Sequence, residues 1–180
     1  MKANLVFSGR IGSGKTQLSK AVASAIGFRW SSFGSTLKNI AGERGLPITR
    51  ENLQALGEKM VATEPEELCR RVLVEAEPFG AQPIVIDGLR HRHIRDMLQR
   101  LLFPQRLLVI YVDVPDVIRL ERLRLRDGFT DAEIRSLEEH STEIQVAVEI
   151  RSIADYISDN SGALNATVAA VSSAALKIIE

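Results

Sequence analysis

The 180-residue chain has a single cysteine, few aromatic residues and no long apolar run. Cys69 cannot form an internal disulfide and has no companion for a metal site, which indicates a reducing compartment. No stretch approaches the ~20 apolar residues of a membrane span. The N-terminus also lacks the apolar length and the cleavage site of a signal peptide. We therefore expect a cytoplasmic protein that does not act at a membrane.

The chain also has no net charge, because 23 basic side chains balance 23 acidic ones. No global field draws such a protein to nucleic acid or to anionic lipid, and no aromatic cluster offers a stacking surface for bases. The alternation of His91 and His93 fits no helical metal pair, so zinc is not implied. Nucleic-acid binding is disfavoured, and any binding of phosphate must be local.

Hydrophobic residues make up 45% of the chain and charged residues 26%, which is typical of one compact domain with a packed core. Short apolar runs alternate with helical spacing along the whole length. This alternation predicts an α/β fold, a doubly wound parallel sheet of about five strands with helices on both faces. The predicted strands are 3–7, 28–32, 83–86, 107–112 and 153–157. The predicted helices are 15–26, 37–44, 51–62, one capped by Thr63 and running to about Glu77, 91–102, one between Pro115 and Gly128, one from Thr130, and 162–179.

The most specific motif is Gly-Arg-Ile-Gly-Ser-Gly-Lys-Thr at residues 9–16, which matches G-x-x-x-x-G-K-S/T completely. It follows an apolar run and opens a helical pattern, the context in which such a loop cradles phosphates. Glycines let the backbone approach the β-phosphate, and successive N–H groups point at it. The predicted ATP contacts in the loop are Gly9, Gly12, Ser13, Gly14, Lys15 and Thr16.

Two residues of the loop have further expected roles. Lys15 is expected to reach the β and γ phosphates, and the Thr16 hydroxyl to ligate Mg²⁺. Asp87 and Asp113 each end an apolar strand, so either can hold Mg²⁺ through water, although each also suits a helix cap or a turn. The sequence therefore predicts a protein that binds ATP together with Mg²⁺.

With this loop and the segments below, nearly the whole chain resembles the P-loop small-molecule kinases related to nucleoside monophosphate kinases and dephospho-CoA kinase. The resemblance implies a kinase core at 1–33, 79–122 and 150–180. It further implies an acceptor lobe at 34–78 and a lid at 123–149 that closes over ATP.

The segment 32–38, Ser-Phe-Gly-Ser-Thr-Leu-Lys, resembles the opening of the acceptor lobe in monophosphate kinases. The resemblance implies acceptor contacts from Ser32, Gly34 and Lys38, with Lys standing where Arg is more usual. Asp87-Gly88-Leu89-Arg90 is similar to the Asp-Gly-x-Arg element of these kinases. Asp87 is then expected to orient Mg²⁺, and Arg90 to grip the phosphate that is transferred.

Four arginines between 119 and 126 look like the helix that leads into the lid of this family. Arg119, Arg122 and Arg126 share one helical face. Arg122 and Arg126 are predicted to stabilise the charge of the transferred phosphoryl group, with Arg122 also contacting ATP. Near the C-terminus, Asn160 resembles an adenine-side contact of the family. The segment 140–143, His-Ser-Thr-Glu, is expected to cap a helix.

The chain lacks the Pro-Leu-Leu-x-Glu element of dephospho-CoA kinases, which favours a nucleoside or deoxynucleoside monophosphate as acceptor. The expected function is transfer of the ATP γ-phosphoryl group to that acceptor, by a monomer or a homodimer. Two alternatives stay open at this point. One is a dephospho-CoA kinase-like activity, and the other is an ATPase or nucleotide switch without a small acceptor.

Overall fold

Five short strands form one all-parallel sheet in the computed structural model, which describes residues 3–76, 82–139 and 141–179. The strands are β1 (Ala3–Ser8), β2 (Arg29–Ser32), β3 (Ile84–Leu89), β4 (Arg106–Asp113) and β5 (Tyr156–Asp159). Their order in the sheet is β2-β3-β1-β4-β5. β1 is therefore central, and the sheet edge at which β1, β3 and β4 end is where an α/β fold builds its site.

Helices connect the strands and cover both faces of the sheet, as right-handed crossovers between parallel strands require. They are α1 (Lys15–Ile26), α2 (Phe33–Glu43), α3 (Arg50–Thr63), α4 (Pro65–Ala76), α5 (Arg92–Leu102), α6 (Asp116–Asp127), α7 (Asp131–Glu138), α8 (Ser141–Gln145) and α9 (Leu164–Ile179). A π-helical turn, Val146–Ile150, continues α8. The predicted doubly wound α/β fold is confirmed.

Two apolar layers hold the helices to the sheet. Leu5 and Phe7 of β1 face α1 and α9, whereas Val6 faces the layer that contains α2 to α5. All three side chains are fully buried. Because successive strand residues point to opposite faces, an unbroken apolar run is what a strand buried on both faces needs.

Most predicted elements are present, and several boundaries differ. The third strand, for example, runs on to Leu89 instead of ending at residue 86. α2 begins at Phe33 because the Ser32 hydroxyl accepts a hydrogen bond from the Ser35 N–H, a side-chain cap that the predicted start at 37 missed. The prediction that Thr63 caps α4 is wrong, since Thr63 ends α3 and its hydroxyl donates to the Lys59 carbonyl. Glu77, the predicted end of α4, lies outside the described residues.

The last strand begins at Tyr156, three residues later than predicted. The Ile153 N–H donates to the Ile150 carbonyl, so Ile153 closes the preceding helical turn. Its apolar side chain packs against the core formed with α2 to α5, which explains an apolar residue there without a strand.

Cys69 is fully buried in α4, and burial raises the pKa of its thiol to about 12, with Glu66 adding to the rise. A thiol with so high a pKa is a poor nucleophile. None of the helices in the described ranges combines the length and the apolar character that a membrane crossing requires.

Candidate phosphoryl-transfer site

The loop between β1 and α1 is built from glycines that no other residue replaces easily. Gly12 and Gly14 have φ of 83° and 81°, a left-handed backbone that side chains disfavour. A Cβ on Gly14 would lie 2.6 Å from Nδ2 of Asn160, and one on Gly12 would lie 3.0 Å from the Arg119 carbonyl oxygen. The loop, which begins at Gly9 directly after β1, is therefore packed tightly from behind, with α1 starting at Lys15.

Thr16 and Asp87 meet at the end of the sheet. Asp87 lies on β3 opposite Phe7 of β1, and the Thr16 hydroxyl donates to Oδ2 of Asp87 over 2.7 Å. Oδ1 of Asp87 is buried and has no hydrogen-bond partner among the described residues. Such a buried oxygen is unusual, and its partner is a water molecule, a ligand or an ion. A hydroxyl and a carboxylate are oxygen donors of the kind that Mg²⁺ takes.

Burial raises the pKa of Asp87, although the charge of Lys15, the Thr16 hydrogen bond and the charge of Arg90 each oppose the rise. Lys15 is the first residue of α1, directly after the loop, and its charge favours the ionised form of Asp87. The charge of Lys15 and the hydroxyl of Thr16 therefore both act on the carboxylate of Asp87, and all three residues were predicted from the sequence.

Asp113, the other candidate for Mg²⁺, is engaged elsewhere. One of its carboxylate oxygens accepts from Arg151 over 3.2 Å, and the other accepts from the Val114 N–H over 3.1 Å. Of the two candidates, it is Asp87 whose carboxylate is bonded to Thr16.

Two predicted residues hold the phosphate loop from behind. Asn160 donates from Nδ2 to the Ser13 carbonyl over 2.9 Å. Arg122 donates from Nη1 to the same carbonyl over 3.3 Å, and from Nη2 to the Asn160 carbonyl over 3.0 Å. These contacts brace the loop against α6 and β5. The adenine contact of Asn160 and the phosphate contact of Arg122 stay predictions, and the Arg126 side chain lies outside the described part of the chain.

Arg119 also belongs to this brace. Its residue is 1% exposed, and its guanidinium pairs with Asp116 through Nε over 3.0 Å. Its Nη1 lies 3.4 Å from the Ile11 carbonyl. The arginine face that the sequence predicted is therefore turned toward the phosphate loop, at least for Arg119 and Arg122.

Beside the loop opens a cavity of about 330 Å³. It is lined by Ile11, Phe33, Leu37, Arg50, Leu53, Gln54, Gly57, Glu58, Val61, Leu68, Gly88, Arg90, His91, Ile94 and Glu143. Its volume lies at the lower end of the range for small-molecule sites, which are mostly apolar with a few polar groups. The predicted phosphate-gripping residue Arg90 lies in its wall.

Three predicted acceptor contacts are not part of this wall. Ser32 caps α2, and Gly34 and Lys38 are exposed on the same helix. Leu37 lines the cavity, and one residue further along a helix turns the side chain by about 100°. Lys38 is therefore exposed beside a cavity that its helix lines with Leu37, and its acceptor contact stays a prediction.

Sequence reasoning missed the polar stripe that α3 adds to the cavity. Arg50, Gln54 and Glu58 are spaced four residues apart, so they lie on one face of the helix. Nε2 of Gln54 lies 3.4 Å from Oε1 of Glu58. The spacing was visible in the sequence, but nothing there showed that this face lines the same cavity as Ile11 of the phosphate loop.

Glu143 has contacts that the expectation of a helix-capping segment did not include. Its carboxylate accepts from the Ile11 N–H over 2.9 Å and from Nη1 of Arg90. The residue is 5% exposed. His140 lies outside the described residues.

The sequence of the chain matches a known protein family and several relatives. The family described as the AAA domain (AAA_18) matches residues 5–144. A UPF0200 protein of Aeropyrum pernix is 31% identical over 166 residues, covering 89% of this chain and 85% of that protein. A cytidylate kinase of Desulfurococcus amylolyticus is 30% identical over 125 residues, which cover 69% of this chain and 60% of that enzyme.

Among solved structures, the shikimate kinase of Acinetobacter baumannii superposes with a TM-score of 0.59. It is 19% identical, and the match covers 99% of this chain and 93% of that enzyme. Identity this low shows a shared fold. The predicted resemblance to P-loop small-molecule kinases is confirmed.

Proposed function

We propose a function from the premise that the chain belongs to the AAA domain family and to the UPF0200 family. The proposed activity is transfer of the γ-phosphoryl group of Mg-ATP to the phosphate of a small acceptor, a nucleoside or deoxynucleoside monophosphate. The observation that carries the proposal is the cavity beside the phosphate loop. Its volume suits a small ligand, and its mostly apolar wall includes Arg90. A nucleotide switch has no use for such a cavity.

The donor side of the proposal rests on the loop 9–16. Backbone N–H groups, the positive end of α1 and the Lys15 ammonium suit the β and γ phosphates. Thr16 and the unpartnered Oδ1 of Asp87 fit Mg²⁺. Bound there with the phosphates, Mg²⁺ would neutralise the charge that develops on their oxygens. Within the described residues, no group of three or more His, Cys, Asp or Glu could hold a metal ion. Mg²⁺ usually keeps several water ligands and binds through one or two protein oxygens together with substrate phosphates.

The acceptor side rests on the residues that line the cavity. Ile11 of the phosphate loop and Arg90 both line the cavity, so we propose that the acceptor phosphate binds beside them. The apolar side chains, with Gln54 and Glu58 of α3, suit the flat faces and the polar edge of a base. We place the acceptor lobe at 34–78 accordingly, with α3 as its recognition surface.

In this arrangement the residues act by position and charge. A phosphate acceptor already carries a nucleophilic oxygen, so no general base is required. Lys15 and Arg90 hold the donor and the acceptor phosphates in line, and their charges stabilise the transferred group. The proposed lid, 123–149, contacts the acceptor lobe where Arg50 lies 4.8 Å over the Phe129 ring, a contact that favours closure.

An acceptor panel tests the proposal. The purified protein, given Mg-ATP and each nucleoside monophosphate, deoxynucleoside monophosphate or dephospho-CoA in turn, is expected to form ADP fastest with one monophosphate. The phosphorylated product should appear in equal amount. Preference for dephospho-CoA would mean that the accepting group is a hydroxyl and not a phosphate. Equal rates with and without every acceptor would instead favour an ATPase or a switch.

Arg50 and Lys38 provide a matched pair for the acceptor site. Arg50→Ala is expected to raise the acceptor KM by about tenfold, the effect of losing roughly 1.4 kcal/mol of binding. Lys38→Ala, which removes an exposed charge on the neighbouring α2, is expected to leave that KM within about twofold. The KM for ATP should change little in both variants. A larger effect at Lys38 than at Arg50 would mean that the acceptor lies on the other face of α2.

A further inference from the structure

The carboxylate of Glu143 joins two parts of the site that lie far apart in the sequence. Its Oε2 accepts a hydrogen bond from the backbone N–H of Ile11, in the phosphate loop, over 2.9 Å. Its Oε1 accepts from Nη1 of Arg90, at the end of β3. The side chain is only 6% exposed. A residue of the proposed lid therefore bridges the phosphate loop and the arginine that is proposed to grip the phosphate.

The segment that carries Glu143 is anchored on its C-terminal side. Oε1 of Gln145 lies 3.0 Å from Nδ1 of His91, the residue after Arg90. Val146 and Ile150, in the π-helical turn, are fully buried in the core that contains α2 to α5. Packing therefore sets the place of the Glu143 carboxylate, which is what a residue needs in order to fix the position of another.

The charge state of Glu143 suits a residue that positions Arg90 better than it suits a general base. Burial by itself raises the pKa of Glu143, but Arg90, the Ile11 N–H and Lys15 together hold it below its usual range. A carboxylate with a low pKa is a weak base, whereas an efficient general base has a pKa near the working pH. Glu143 therefore stays ionised, and an ionised buried carboxylate needs the partners that it has here.

We propose that Glu143 is a positioning residue, which fixes the guanidinium of Arg90 relative to the Ile11 end of the phosphate loop. The inference rests on the proposed function, since it assigns Glu143 to that same site. A guanidinium has five N–H donors, so the bond to Glu143 leaves others for phosphate oxygens. Donors held in place before the reaction are worth more than donors that must be ordered during it. A displacement of about 1 Å can cost 100-fold in rate.

A double-mutant cycle tests whether Glu143 acts through Arg90. The variants are Glu143→Gln, Arg90→Ala and the double variant, with Glu139→Gln as control because Glu139 is an exposed carboxylate of the same segment. Glu143→Gln is expected to lower kcat by about 10- to 100-fold with little change in the KM for ATP. In the Arg90→Ala background the same change should cost no more than about twofold. Glu139→Gln should match the wild type.

The outcomes separate this inference from the proposed function. Multiplicative losses in the double variant, or an unchanged kcat in Glu143→Gln, would overturn the positioning role. If no acceptor accelerates ADP formation by the wild type, the proposed function fails. The cycle is then measured on acceptor-independent ADP formation, where the same non-multiplicative result supports positioning and multiplicative losses reject it.

A second variant covers the case in which Glu143→Gln does not fold. Glu143→Asp keeps the charge but is one methylene shorter, so it cannot span both partners. It is expected to lower kcat in the wild-type background and to have little effect on kcat in the Arg90→Ala background. A Glu143→Asp enzyme with wild-type kcat would contradict the need for a carboxylate that reaches both groups.

Discussion

Lys15→Ala is expected to lower the rate of ADP formation by about 1,000-fold, the upper range for losing one preorganised charge-stabilising group. Lys15 follows Gly14, where the backbone turns into α1. Its charge acts on the carboxylates of both Asp87 and Glu143. No other described element is proposed to bring an ammonium group to the γ-phosphate. The rate is measured as ADP formed at saturating Mg-ATP with the acceptor found in the panel.

The control for this variant is Lys20→Ala, about one turn and a half further along α1. Lys20 is exposed, and its ammonium group lies 4.5 Å over the Trp30 ring. The control removes one positive charge from the same helix without touching the loop, so the rate should stay within about twofold of the wild type. A Lys15→Ala enzyme that keeps more than about a tenth of the wild-type rate would remove Lys15 from the proposed mechanism.

The fold was predictable because its signals are local. The apolar runs at β1, β3 and β4 are each buried on both faces, and such a run is unambiguous once helices alternate with it. α1 and α6 both end before a glycine in the left-handed conformation, Gly27 and Gly128. Each of these signals needs only a few neighbouring residues, so each can be seen in the sequence.

The residues of the candidate site could be predicted only where they belong to one sequence motif or end neighbouring parallel strands. Thr16 belongs to the loop motif, and Asp87 lies near the C-terminal end of the neighbouring strand β3, so parallel pairing brings them to one edge. Glu143 approaches Ile11 from 132 residues away in the sequence. Lys38 shows the opposite case, because its side chain is exposed and does not line the cavity, so its acceptor contact stays a prediction. Contacts of this kind depend on how elements pack, which no local pattern reports.

Asp87→Asn is expected to abolish most activity while making the folded protein more stable at neutral pH. The variant keeps an oxygen for the Thr16 hydroxyl but has no charge with which to hold Mg²⁺, so ADP formation should fall by at least about 100-fold. The stability gain follows from burial. Asp87 is 4% exposed, and its Oδ1 has no hydrogen-bond partner among the described residues. An ionised buried group in that position opposes folding.

The stability gain of Asp87→Asn should depend on pH, in a direction that follows from the pKa of Asp87. Burial raises the pKa of Asp87 above its value in the unfolded chain, so the unfolded chain loses the proton first as the pH rises. The wild type then loses stability between the unfolded and the folded pKa, whereas the Asp87→Asn variant, whose side chain stays neutral, does not. Without Mg²⁺, the Tm of Asp87→Asn should exceed that of the wild type at about pH 7. The difference should shrink as the pH falls below the ordinary range of an aspartate.

Asp113→Asn is the matched control, since Asp113 also ends a strand but is half exposed and paired with Arg151. It should leave ADP formation within a few-fold of the wild type and should not raise the Tm. Adding Mg²⁺ with ATP should stabilise the wild type more than Asp87→Asn, because a ligand that binds only the folded form adds to its stability. If Asp87→Asn were less stable than the wild type at about pH 7, the charge of Lys15 would already offset the cost of burying the ionised carboxylate. Oδ1 would then not need a metal ion as partner.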